Sequence, residues 1–177
     1  VGAFHPYRFS NTYLLYRKGW SGINVDINKE SIDLFNIARP RDVNLNIAIG
    51  DKNQKQIFYY KKKRHPMNTL NKEFAKNFFN NKGDIKKSKI MTRTFDYLVG
   101  KVKKIDLLDI DVEGNEYSVV KKINFNKIKF NVILIELTKF NKQTKASTQK
   151  IHRLLLSKNY KYIKSLAETS IYKNKQF

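Results

Sequence analysis

Cysteine is absent from the 177 residues, which excludes disulfides, thiolate zinc sites and a cysteine nucleophile together. Apolar runs are short, Val132–Ile135 being typical, and fall far below the ~20 residues that a membrane-spanning helix needs. With three prolines and seven glycines, no flexible linker divides the chain, and no internal repeat or low-complexity block is visible. Acids are scarce too: 15 Asp and Glu stand against 36 Lys and Arg, a net charge of +21. What is plentiful is core-forming material. Hydrophobic residues make up 41% and aromatics 13%, too much for a disordered chain, and a prior of ~150 residues per domain reads residues 1–177 as a single domain.

The positive charge favours anionic partners such as nucleic acid, acidic lipid headgroups or acidic glycans. Lysine outnumbers arginine 29 to 7, however, and phosphate readers prefer the planar arginine fork, so composition bias accounts for much of the excess. The distribution is uneven. Residues 52–104 hold 16 Lys and Arg against 3 Asp and Glu, which marks that stretch as a candidate face for an anionic acceptor or a membrane surface.

Strand-like and helix-like patterns alternate. A helical Thr12–Lys18 closes at Gly19, and Gly22–Asp26 reads as a strand. Asn28 is placed to cap a helix over Glu30–Ala38 that Pro40 stops. Val43–Ile49 and Gln56–Tyr60 follow as strands, with Lys72–Asn80 a helix in the least legible region, 61–88. Then come a strand Ile105–Val112, a helix Glu116–Ile123, an apolar strand Val132–Leu137 and a helix Ala146–Ser157. Tyr160–Lys164 and Ser170–Lys173 complete the pattern as an antiparallel edge pair. Such alternation implies right-handed βαβ units. The expected fold is therefore an α/β three-layer, Rossmann-like sandwich, with a mostly parallel sheet of about seven strands and an antiparallel C-terminal edge. The opening Val1-Gly2-Ala3 without Met reads as a first strand cropped near its end.

In that architecture ligands lie beyond the carboxyl ends of strands, where this sequence puts Gly2-Ala3, Asp26, Gly50-Asp51, Asp111-Val112-Glu113-Gly114 and Glu136. A glycine after a strand lets a ligand approach the backbone. An acid ending the next strand, as Asp26 does, accepts ribose hydroxyls, and Asp51 is placed for an adenine. An adenosine-containing cofactor fits. A dinucleotide wants the GxGxxG pattern, whereas Phe4, His5, Pro6 and Tyr7 stand where the later glycines belong. A methyl donor without pyrophosphate is the better match.

The segments Val1-Gly2-Ala3, Ser10-Asn11-Thr12, Gly19–Asp26, Ala48–Asp51 and Ile105–Glu116 resemble the FkbM-type methyltransferases, the Asp-Val-Glu-Gly-x-Glu block being the most specific. The resemblance implies a class I fold that uses S-adenosylmethionine, and methylation of a hydroxyl on a saccharide, glycolipid or other small acceptor. It puts Gly2 and Ala3 against the methionine part, Asp26 with Ile27 at the ribose, and Gly50-Asp51 at the adenine. Asp111 and Glu113 fall nearest the transferred methyl as catalytic candidates, Asp111 also as a cofactor contact, and His5, Asn11 and Glu136 are substrate candidates. Two departures stand out: the acid that usually precedes the glycine turn is not in this chain, and Asp109 occupies a position where many relatives carry Lys.

No metal is assigned. The expected partner is a small or glycan acceptor, anionic in keeping with the charge, and the expected location is the cytoplasm, including its inner membrane surface. Two rival readings are a nucleic-acid methyltransferase, for which the sequence lacks an Asn/Asp-Pro-Pro-Tyr motif, and a catalytically silent cofactor-binding domain.

Overall fold

The computed structural model describes residues 1–79, 84–137 and 142–177. It resolves into two compact units, Val1–Arg93 and Thr94–Phe177.

In the first unit, α1 (Tyr13–Arg17) ends at Gly19, whose φ of +93° suits a residue without Cβ. Strand β1 (Ile23–Val25) pairs in parallel with β2 (Val43–Leu45). The connecting α2 (Lys29–Ala38) buries Ser31, Ile32 and Phe35 along one stripe and stops before Pro40. Asn28 precedes it without a side-chain cap; its Oδ1 accepts from Asn68 Nδ2 instead. Strand β3 (Ala48–Ile49) runs parallel to β5 (Lys86–Arg93), and β4 (Gln54–Tyr60) lies antiparallel on the other side of β5. Helix α3 (Lys72–Phe79) joins β4 to β5 and buries Phe74, Ala75 and Phe79. Asn80, its expected last residue, lies outside the described residues.

In the second unit, α4 (Phe95–Val99) is capped by Thr94, whose side chain accepts from Tyr97 N. Strand β6 (Lys104–Ile110) pairs in parallel with β7 (Lys129–Glu136) through α5 (Glu116–Val120). After α6 (Lys142–Ser157), β8 (Tyr160–Leu166) and β9 (Thr169–Asn174) form an antiparallel pair. It is β9 that inserts beside β7, giving the order β6-β7-β9-β8. Ile110, Phe130, Ile133 and Ile135 are fully buried, and α6 contributes Ile151 and Leu155 to the core.

The expected single, mostly parallel sheet of about seven strands is not what forms. Among the described residues nine strands make three small sheets of two, three and four, with parallel and antiparallel pairs equally represented. Two local causes are visible. The expected Val43–Ile49 strand is interrupted at Asn46, whose Nδ2 donates to the carbonyls of Asp26 and Ile27, 3.0 Å each. Pairing therefore stops at Leu45, and β3 takes up a different partner. The second cause is β5, which the alternation did not reveal. Its first four residues, Lys86-Lys87-Ser88-Lys89, are exposed and read as solvated loop, yet they carry the antiparallel ladder to β4.

Candidate active site

In the first unit the opening turn is stitched to the end of β1. Gly2 N and Ala3 N both donate to Val25 O, at 2.8 and 3.1 Å. Gly2 holds φ +78° there, a conformation that costs an L residue 1–2 kcal/mol or so. Next to that turn Asp26 is buried, at 5% exposure. Phe4 N donates to its Oδ2 and Asn28 N to its Oδ1, both at 2.7 Å. Burial pushes the Asp26 carboxyl up, against the opposing pull of those backbone donors. Ile27 beside it is half-buried.

His5 Nδ1 accepts from Tyr7 N and Arg8 N, each at 3.1 Å, so the neutral ring carries its proton on Nε2. Burial and the charges of Arg64 and Arg8 lower its pKa. Asn11 and Asp51 are exposed. Gly50 has a packing reason of its own: a Cβ there would come within 2.9 Å of Thr92 Cβ, whose Oγ1 lies 2.7 Å from Lys52 O and 2.9 Å from Gln54 O.

In the second unit the acids converge. The chain leaves β6 through Asp111, Val112, Glu113, Gly114 and Asn115 before α5 begins at Glu116. Glu113 and Gly114 adopt successive positive φ values, 53° and 83°. Glu116 Oε1 reaches back to accept from Val112 N at 3.2 Å and Gly114 N at 3.0 Å, clamping the turn. Glu136 ends β7, next to β6 in register.

Carboxylate oxygens of Asp111, Glu116 and Glu136 lie within 4.8 Å of one another, a spacing that a hard cation with oxygen ligands can also bridge. Burial, then the charges of Asp111, Glu116 and Glu168, pushes Glu113 up to about 9. Burial raises Glu116 to about 7, opposed by the backbone donors it holds. Glu136 is raised well above the carboxylate range, first by burial and then by its hydrogen bond and proximity to Asp111. Acids this close cannot all ionise at neutral pH. Asp111 Oδ1 and Glu136 Oε2 are buried without a hydrogen-bond partner.

The profile of the methyltransferase FkbM domain matches residues 1–162. The chain belongs to that family. A comparison with curated proteins and another with solved structures each return no match.

The FkbM match runs across both units, and the family assignment makes this a methyltransferase domain. Within the second unit the acids Asp111, Glu113 and Glu136 come together at strand ends; within the first, Gly2 and Ala3 lie at the end of β1 next to Asp26, while Asn11 and Asp51 stay at the surface. Three residues escaped the sequence reading. Glu116 looked like the first residue of a helix, although it closes the Asp-Val-Glu-Gly-x-Glu block. Glu168, at the β8–β9 turn, adds its charge to the burial and the nearer acids that raise Glu113. Arg39, at 1% exposure, anchors the segment after the glycine turn by donating to Pro6 O, to Thr12 Oγ1 at 2.8 Å and to Ser10 Oγ at 2.7 Å. No sequence spacing announces an arginine that bonds a loop 27–33 residues away.

Among the described residues no helix is long and apolar enough to cross a membrane.

Proposed function

We propose that this FkbM-domain protein transfers a methyl group from S-adenosylmethionine to a hydroxyl of a saccharide, glycolipid or other small acceptor, and that residues 1–177 work as one methyltransferase domain. The observation that carries the reading is the acid turn after β6, where carboxylate oxygens of Asp111, Glu116 and Glu136 lie within 4.8 Å of one another and Asp111 Oδ1 and Glu136 Oε2 are buried without a hydrogen-bond partner.

The donor set suits a cationic methyl donor: four carboxyl groups close to one another are relieved by a positive charge. When bound, S-adenosylmethionine supplies an electrophilic methyl on a sulfonium. In the first unit, Gly2 and Ala3 offer backbone without bulk for its methionine part. Asp26 with Ile27 is assigned to the ribose, since each Asp26 oxygen has a second lone pair beyond its backbone donor. Gly50-Asp51 is assigned to the adenine.

An acceptor hydroxyl is a weak nucleophile and gains from a base. Glu113, pushed up to about 9, and Glu136, raised beyond the usual range, both hold protons at neutral pH. The base role is assigned to Asp111, which follows β6 beside Glu113 and Glu136. Alignment supplies the remainder of the rate. His5, donating from Nε2, and Asn11 are assigned to the acceptor. The donor's synthesis in the cytoplasm places the reaction there.

The test is Asp111→Asn, which keeps the shape and removes the base. Methyl transfer to cell-envelope glycans is expected to fall by about 10²–10⁴, with the donor's Kd from calorimetry changed less than about threefold. Equal loss of both would make Asp111 a donor ligand. Donor binding with no turnover in the wild type would mark a silent binding domain.

A further inference from the structure

The most basic part of the chain, residues 52–104, includes β4 and β5, and the ladder shows how these strands sort their side chains. Lys55 is opposite Met91, Ile57 opposite Lys89, and Tyr59 opposite Lys87. Directly paired residues share a face, and neighbours along a strand alternate between faces. Ile90 and Thr92, with 7% and 0% exposure, mark the inward face. The outward face carries exposed Lys55, Lys87 and Lys89, and among them Ile57 is 48% exposed. Neither strand contains an acid. From Lys87 to Met91, opposite Lys55, is a span of about 14 Å at strand rise.

We propose that this outward face docks the protein onto an anionic lipid bilayer. Lysines ring an aliphatic side chain: the ammonium groups meet lipid phosphates at the surface, and Ile57 reaches toward the acyl boundary. Nucleic acid fits the same face less well. Single strands are gripped by stacking on exposed rings, and Tyr59, the aromatic residue on this face, is half-buried. The exposed charges of the face are lysines, Arg93 on the same face being half-buried, whereas phosphate readers prefer the arginine fork. A methyltransferase held this way meets acceptors that are themselves lipid-borne.

Sedimentation of the full chain with vesicles tests this. Vesicles of phosphatidylcholine with about a third phosphatidylglycerol are expected to bind it, phosphatidylcholine alone is not, and added salt is expected to release it. The triple variant K55Q/K87Q/K89Q is expected to lower partitioning about a hundredfold, roughly fivefold per lysine. A matched triple in the second unit, K158Q/K161Q/K164Q, removes the same charge from other exposed positions and is expected to lower it less than about threefold. Ile57→Ser is expected to weaken the part that resists salt. Equal loss in both triples, or no preference for anionic vesicles, overturns the proposal, since overall lysine content would then explain the charge. Loss of polyuridylate binding in the β4–β5 triple with vesicle binding unchanged overturns it in favour of nucleic acid. Donor calorimetry on the same variants, whose lysines take no part in the assigned donor site, reads the proposed function separately.

Discussion

Glu113 combines two costs. It holds φ 53°, in a region that L side chains occupy with strain, and it is 94% removed from solvent among like charges. Its raised carboxyl ties stability to pH. The folded state binds the proton more tightly than the unfolded chain, so this contribution is full below pH ~4.5 and is lost as pH rises through about 9. Each pH unit inside that window costs up to about 1.4 kcal/mol. Denaturant melts at pH 5 and pH 8.5 are therefore expected to show falling stability, and Glu113→Gln, permanently neutral, is expected to flatten that slope. A slope unchanged in the variant would mean that Glu113 ionises freely in the fold.

At the scale of elements, Asn46 decides where β2 ends. Its amide fills the carbonyls of Asp26 and Ile27, which the β1–β2 ladder no longer reaches. Asn46→Ala leaves both without that donor and is expected to cost about 1–2 kcal/mol, seen as a lower urea midpoint. Because Asp26 follows directly on β1, the same variant is expected to raise the donor's Kd several-fold, whereas a purely structural Asn46 would leave Kd unchanged. The clamp of Glu116 on Val112 N and Gly114 N is the corresponding device in the second unit. It keeps the acid turn in place without a longer strand.

For the whole molecule, a net charge of +21 means self-repulsion in the compact state. Raising salt from about 0.05 to 0.5 M shortens the Debye length from well over 10 Å to a few Å. The thermal midpoint is expected to rise, about 3 °C for each 1 kcal/mol of repulsion relieved. A midpoint that falls with salt would show that specific ion pairs outweigh the repulsion. Two of the visible pairs, Lys29–Asp33 and Lys127–Asp96, are largely exposed, where such contacts contribute little, whereas Arg39–Asp42 at 4.0 Å is buried and little screened by salt.

Much of the candidate site could be proposed from the sequence because its residues are local. The Asp-Val-Glu-Gly-x-Glu block, the Gly-Ala turn and Asp26 each sit within a few residues of a strand end, and periodicity finds strand ends. Family membership follows from the same segments. The joining of strands was not legible. Alternation of strand and helix reports order along the chain, while pairing depends on which backbone donors remain open once side chains such as Asn46 have taken some of them. Likewise β5 hid behind its lysines, because exposed strand residues carry the composition of loops. By itself the sequence determined a basic α/β chain of the FkbM family with acids at its strand ends. Only the tertiary structure decided that three small sheets form, two of them mixed, and that Glu136 crowds Asp111 and Glu116, since raised carboxyls arise from distances between residues far apart along the chain.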